Sequence, residues 1–191
     1  EIDTIGDLTI SGERDASGLD EAARQRIAKV QADGDSIGGT ITCTIDGIKA
    51  GYGSPIFDGV ENRLASILFG IPAVKGVEFG SGFKGSTLLG SQNNDAFHYQ
   101  DGIVKTETNN HGGSLGGITS GMPIIFRVAI KPTPSISQKQ QSVNLQCKEE
   151  TELIIKGRHD ACIVPRALPV VEAAAAIAAL DLILDEQPMQ E

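Results

Sequence analysis

Tryptophan is absent from this 191-residue chain, tyrosine occurs twice and cysteine three times. So few aromatics mean that the interior must be filled by Ile, Val, Leu and Ala rather than by stacked rings. Cys43, Cys147 and Cys162 are an odd, widely spaced set with no CxxC pair. That excludes a disulfide framework and a cysteine zinc site, and reads as reduced thiols of a cytosolic protein. Positive charge is also scarce: 16 Lys and Arg against 25 Asp and Glu, for a net charge of −9. A surface that tracks nucleic-acid phosphates is therefore excluded, although a few cations converging in one pocket can still hold an anionic small molecule. His98, His111 and His159 lack zinc spacing and predict structural or surface roles, so no metal is expected. No GxxxxGK[ST] loop and no strand–GxGxxG–helix unit is present. The apolar run near Val170–Leu184 is broken by Glu172 and Asp181, which predicts a packed helix rather than a membrane span. No signal-peptide pattern is recognisable, and a first residue of Glu1 rather than methionine suggests a processed or truncated product.

Glycine is abundant, at 23 residues, and predicts many backbone turns. With 40% hydrophobic and 21% charged residues, the composition is that of a globular protein of one domain or two small ones. No repeat, low-complexity tract or linker divides it, and a single αβ unit is the simplest reading. Ile2, Ile5, Leu8 and Ile10 predict a strand over 2–10. Ser17 is the expected N-cap of a helix carrying Leu19, Ala23, Ile27 and Val30, stopped at Gly34. Alternation over 37–50 predicts a strand closed by Asp46-Gly47. A helix from about Asp58 to Phe69 and a strand at Val74–Phe79 follow, then a turn cluster at Gly80–Gly85. Residues 90–121 are polar and glycine-rich, a stretch expected to be disordered or built around a ligand. Ile124–Ile130 reads as a strand ended by prolines, and a long helix is expected near Pro165–Asp185. Its Ala173–Ala176 run would let a neighbouring helix approach closely.

Three clusters carry candidate chemistry. Gly157-Arg158-His159-Asp160 precedes the last helix; Arg158 offers a planar fork for phosphate or carboxylate, and the acid and imidazole can move protons. A solvated surface loop with a salt bridge is the alternative. Lys131-Pro132-Thr133-Pro134-Ser135 holds a cation and hydroxyls between two prolines, suited either to anion capture or to ending a strand. Asn109–Gly121 is rich enough in glycine to bring backbone N–H groups against a ligand. An unrelated phosphate-ester hydrolase using Arg158, His159 and Asp160 would also fit the first cluster, and predicts turnover of generic phosphomonoesters.

Taken in order, these clusters resemble the chorismate synthase family. The resemblance is carried by Asp35-Ser36-Ile37-Gly38-Gly39, Gly53-Ser54-Pro55-Ile56-Phe57-Asp58 and Ile71-Pro72-Ala73-Val74-Lys75-Gly76-Val77-Glu78-Phe79-Gly80. It continues through Gly90-Ser91-Gln92-Asn93-Asn94-Asp95, Thr108-Asn109-Asn110-His111-Gly112-Gly113, Gly116-Gly117-Ile118-Thr119-Ser120-Gly121, Lys131–Ser135, and Gly157–Asp160 with Val164-Pro165-Arg166-Ala167. Almost the whole chain is covered, with about the first thirty residues matching loosely. The family's N-terminal half, with two functional histidines, substrate arginines and a flavin-touching Arg-Ala/Ser-Ser segment, has no counterpart. The resemblance thus implies the C-terminal half of a single-domain α+β fold over 1–191. That fold is a β-α-β sandwich whose antiparallel sheets enclose a helical layer, normally a cytoplasmic homotetramer.

The resemblance implies an activity as well: FMN-dependent conversion of 5-enolpyruvylshikimate 3-phosphate to chorismate in the shikimate pathway. Phosphate and a proton are lost in an anti-1,4-elimination, with reduced FMN required but no net redox change. Pro72 and Ala73 correspond to a backbone stretch lining the flavin, and Gly116 to a glycine at its ring. Lys131, Pro132, Thr133, Pro134 and Ser135 correspond to the segment donating hydrogen bonds to FMN. Arg158 corresponds to an arginine at the junction of flavin and substrate, and Asp160 to a proton-handling aspartate for which burial would be useful; His159 is expected to be structural. NADP is tied to the family through flavin reduction, for which no residues are recognisable here. Two departures stand out: Ala161 where proline is common, implying a less rigid turn, and Pro72 where polar residues are common. For the isolated chain the expectation is inactivity, the alternative role being a non-catalytic FMN-binding or assembly fragment.

Overall fold

The computed structural model describes residues 1–185. Along the chain run β1 (Ile2–Ile5), β2 (Leu8–Thr9), α1 (Glu21–Ala32), β3 (Gly39–Ile45), α2 (Val60–Phe69) and β4 (Val74–Phe79). Two single-turn helices follow, α3 (Gly82–Gly85) and α4 (Gly90–Asn93). Then come β5 (Phe97–Gln100), β6 (Ile103–Thr106), β7 (Ser114–Leu115), β8 (Ile118–Thr119), β9 (Ile124–Ile130), β10 (Gln140–Asn144), β11 (Glu149–Leu153) and α5 (Val164–Asp185). Every strand pair with a defined register is antiparallel, and the class is α+β, as expected. The described residues form two compact units, 1–41 with 130–167, and 42–129 with 168–185. Its three crossings fall inside β3, β9 and α5. No linker divides the units, which is why composition shows no boundary.

In the first unit the stretch read as one strand is a hairpin. The chain reverses at Gly6-Asp7, so Ile5 pairs with Leu8, while β1 lies antiparallel to the start of β3 with Ile2 opposite Ile41. Ile2, Ile5, Ile10, Leu19, Ala23 and Ile41 form the core. Burying each of the larger aliphatic side chains contributes about 1.5–3 kcal/mol. Helix α1 starts three residues later than Ser17 would place it: Asp20 is the N-cap, its Oδ1 accepting the Ala23 N–H at 2.8 Å. Ser17 is held instead by Asp15, whose Oδ1 accepts from its N–H and its hydroxyl. A carboxylate caps more strongly than a hydroxyl because it is charged and sits at the positive end of the helix dipole. These bonds, that from Ala23 first, hold Asp20 below the usual carboxylate range. The β10–β11 hairpin, which no sequence periodicity announced, projects with all of β11 exposed.

In the second unit β9 lies between β3 and β4. Period-two alternation buries Ile124, Phe126 and Val128 on one face. The Phe126 ring meets Phe79 of β4 at 5.9 Å between centroids. Helix α2 buries Val60, Leu64 and Leu68, one residue per turn on one face. It begins at Val60 rather than Asp58, since Asp58 lies at φ +58° and cannot enter a right-handed helix. Helix α5 turns Val171, Ala174, Ala175, Ala178 and Leu182 inward. Pro169, lacking an N–H, leaves the Pro165 carbonyl without its helical partner in the opening turns. The stretch 90–121, expected to be disordered or ligand-built, instead contains α4 and the hairpins β5–β6 and β7–β8. Its strands, of two to four residues, are too short to announce themselves by alternation.

Candidate functional site

In the second unit the glycine loop is organised by a buried carboxylate. The Asp95 side chain is only 5% exposed and accepts the Asn110 and His111 N–H groups, each at 2.8 Å, and the Thr108 hydroxyl. Burial raises its pKa, but these three bonds together with nearby His111 outweigh burial and hold it below the usual value. The next turn is clamped from both sides of Asn109, whose Oδ1 accepts Gly113 N–H at 2.9 Å and whose amide donates to the Pro123 carbonyl at 2.8 Å. His111 Nδ1 also accepts the Gly113 N–H, and its Nε2 lies 3.7 Å from Asp95. His111 is therefore a loop organiser, as the structural reading expected. Gly113 sits at φ +83°, and a Cβ there would fall 2.5 Å from the Pro123 carbonyl oxygen, so no other residue fits.

This clamp supports the β7–β8 hairpin, whose tip is Gly116-Gly117. The Gly117 carbonyl accepts the Val60 N–H at 3.0 Å, satisfying the first donor of α2, whose N-cap Gly59 has no side chain to do so. Thr119, buried in β8, accepts the Tyr52 N–H and donates to the Lys49 carbonyl. Gly116 is different from its neighbours: it adopts φ +61°, is exposed, and no atom of the chain would meet a Cβ within 4 Å. Its bare backbone thus faces open space. Pro72 and Ala73 form the turn between α2 and β4, with Pro72 exposed and Ala73 at φ +74°. A left-handed alanine costs about 1–2 kcal/mol, a strain that concentrates at ligand sites.

In the first unit the segment after β9 is pinned by the Ser36 hydroxyl, which donates to the Thr133 carbonyl at 2.6 Å. Pro132 and Pro134 are exposed; Lys131, Thr133 and Ser135 are half-buried. Thr133 Oγ1 is buried with no hydrogen-bond partner among the described residues. Leaving such a hydroxyl unsatisfied costs about 1–3 kcal/mol. His159 is fixed by a 2.9 Å contact from Nε2 to the Ile155 carbonyl, a structural role. Arg158 is exposed, and no hydrogen bond or ion pair holds its guanidinium among the described residues. Asp160 is exposed rather than buried and forms an ion pair with Arg166. The Ala161 carbonyl accepts the Ile37 N–H at 2.7 Å, anchoring the turn that lacks the usual proline. Within this unit the structure shows both the Lys131–Ser135 and the Arg158–Asp160 segments tied to residues 36–37; Pro72, Ala73 and Gly116 belong to the other unit.

Sequence reasoning singled out neither Asp95, Asn109 nor Ser36 for a role of its own. All three are short polar side chains in irregular segments, and only the partners brought in by folding distinguish them. Among the described residues no group of three His, Cys, Asp or Glu side chains gathers as a metal site. In the first unit an orphaned hydroxyl at Thr133 lies near the cation Lys131 in sequence, and Arg158 is exposed; in the second unit Gly116 has an uncovered backbone.

The family model for chorismate synthase matches residues 12–184. A chorismate synthase of Dehalococcoides mccartyi is 52% identical over 166 residues, covering 85% of this chain and 46% of that protein. One from Thermococcus gammatolerans is 52% identical over 164 residues, covering 86% of this chain and 46% of its own length. A crystal structure of chorismate synthase superposes with a TM-score of 0.76 at 28% identity, covering 97% of this chain and 56% of that one. The chain spans about half the length of the curated relatives it matches. It belongs to the chorismate synthase family.

Proposed function

We propose that this chain supplies the C-terminal half of a chorismate synthase active site. In the completed enzyme 5-enolpyruvylshikimate 3-phosphate is converted to chorismate. The observation that carries the reading is the family match over residues 12–184. In the anti-1,4-elimination one C–O bond to phosphate and one ring C–H bond break, a new C=C bond forms, and phosphate and a proton depart. When bound, reduced FMN lends electron density transiently to the substrate, so the overall reaction is redox-neutral.

The chain's own residues bind, orient and move the proton. Lys131 and the Thr133 and Ser135 hydroxyls, held by the two prolines and Ser36, donate to the cofactor. Pro72-Ala73 and Gly116 offer backbone to its ring system. Arg158 supplies the charge-assisted contact where cofactor and substrate meet, and its exposure leaves it free to do so. Asp160 takes up the proton at a carboxylate oxygen, exchanging its Arg166 partner for the reacting centre. The chain covers 46% of the Dehalococcoides mccartyi relative's length, and the residues named here are those of that part. The completed enzyme is a cytoplasmic homotetramer.

The test is anaerobic chorismate release with chemically reduced FMN and the phosphorylated substrate. No turnover from the chain alone, with turnover on adding the complementary half of a relative, is the expected result. Turnover of generic phosphomonoesters without flavin would overturn the reading in favour of a hydrolase.

A further inference from the structure

Within the first unit, the two segments assigned to cofactor and proton chemistry both lean on residues 33–38, the stretch between α1 and β3. This stretch runs alongside the chain that follows β9. The Ser36 hydroxyl donates to the Thr133 carbonyl at 2.6 Å. The Gly34 carbonyl accepts the Ser137 N–H, and the Asp33 carbonyl accepts the Gln138 side-chain amide, each at 2.9 Å. Gly38 lies so close that a Cβ there would fall 2.2 Å from the Ile130 carbonyl oxygen. Toward the other segment, the Ile37 N–H donates to the Ala161 carbonyl at 2.7 Å. The Gly38 carbonyl in turn accepts the Gly6 N–H at 2.8 Å, which ties the stretch to the turn after β1.

The Lys131–Ser135 segment cannot pair as a strand along its length, because Pro132 and Pro134 have no N–H to donate. Lys131 and Thr133, each followed by proline, are confined to extended backbone, which puts Lys131, Thr133 and Ser135 on one side. Exposure follows that alternation: both prolines are exposed and the other three residues are half-buried. Thr133 buries its Oγ1 without a partner among the described residues, so the hydroxyl goes where its own backbone puts it. That backbone is held at the carbonyl by Ser36. Asp33 and Gly34 act through carbonyls that any residue would supply, whereas the contact at position 36 depends on the side chain. We infer that Ser36 is a positioning residue: through the Thr133 carbonyl it aims the Thr133 hydroxyl at an anionic cofactor. This rests on the functional reading above, in which Lys131–Ser135 donates to FMN. The Arg158–Asp160 turn is tied to the Ile37 backbone instead, so loss of the Ser36 hydroxyl should reach cofactor binding and spare the chemical step.

The experiment uses the completed enzyme, this chain combined with the complementary segment of the Dehalococcoides mccartyi relative. FMN binding is followed by fluorescence quenching, and kcat by anaerobic chorismate release at saturating reduced FMN. Ser36→Ala should raise the FMN Kd about three- to tenfold, the range for one hydrogen bond, and leave kcat within about twofold. Ser36→Thr keeps the hydroxyl and should bind within about twofold of the parent, while Ser36→Cys, with a weak S–H donor, should fall between Thr and Ala. Because Ser36 acts through Thr133, the two effects should not add. In a Thr133→Val background, Ser36→Ala should change the Kd by less than about twofold. Asp20→Ala, which removes the N-cap of α1, is the stability control: it should lower the melting temperature and leave the FMN Kd at the parent value.

A lowered melting temperature in Ser36→Ala with an unchanged Kd, full additivity with Thr133→Val, or an equal loss of FMN affinity in Asp20→Ala would each overturn the positioning role. Ser36-dependent FMN binding without chorismate formation would sink only the functional reading. Chorismate formation with the same FMN Kd in Ser36→Ala and the parent would sink only the role of Ser36. A parent that binds no FMN would sink both.

Discussion

Two glycine-bearing segments carry the candidate site, and they are built in opposite ways. In the loop from Asn109 to Gly117 four successive backbone donors, Asn110 to Gly113, are answered by the chain itself, through Asp95, Asn109 and His111. In Gly157–Asp160 the Arg158 and Asp160 side chains are exposed, and the segment is tied down by half-buried His159 at the Ile155 carbonyl, by the Asp160–Arg166 ion pair and by the neighbouring Ala161 carbonyl. The first presents a rigid backbone surface made before any ligand arrives. The second presents exposed charge at Arg158 that no other side chain of the described residues pairs. Substitutions should therefore damage stability in the first and binding or turnover in the second.

The largest effect is expected at Gly113. Gly113→Ala forces a Cβ to 2.5 Å from the Pro123 carbonyl at φ +83° and should cost at least about 3 kcal/mol in urea unfolding. Asp95→Ala removes the acceptor of two backbone N–H groups and should cost about 2 kcal/mol by the same measurement. Its pH dependence has a defined sign. Because the folded-state pKa of Asp95 is depressed, its contribution is present above its unfolded value of about 4 and is lost as pH falls through the lower folded value. The stability gap between the parent and Asp95→Asn should accordingly narrow in acid titrations. Thr133→Val sits between the two regimes. Removing an unpartnered buried hydroxyl should leave stability unchanged or raised by about 1 kcal/mol, while flavin binding to the completed enzyme, followed by fluorescence quenching, weakens. Arg158→Ala should change stability least, within about 0.5 kcal/mol, yet abolish chorismate formation in the completed enzyme. A marked loss of stability at Arg158 would erase the contrast between the segments.

Legibility in the sequence followed the same division. Elements with long periodic faces were readable: α5 with Val171, Ala175, Ala178 and Leu182 inward, β9 with its alternation, and α1 stopped at Gly34. Elements defined by a single polar contact were not. Asp20 displaced Ser17 as N-cap because both residues suit the role, and the choice depended on which side chain the first turn could reach. The short hairpins within 90–121 and the β10–β11 hairpin rest on pairing across turns, which leaves little periodic trace in strands of two to five residues. The candidate site residues could be placed through the order of their motifs. What could not be read was that Asp160 would be exposed and paired with Arg166, or that Thr133 would bury its hydroxyl without a partner.

The residues alone determined the class of the fold and the family. Periodicity and ordered motifs are properties of the linear chain and survive without coordinates. Tertiary structure alone decided which polar atoms are satisfied and which apolar faces are covered. Both are relations between residues far apart in sequence, such as Asp95 with His111 or Leu64 with Leu182, and hydrogen bonding and burial are set only when folding excludes water between them.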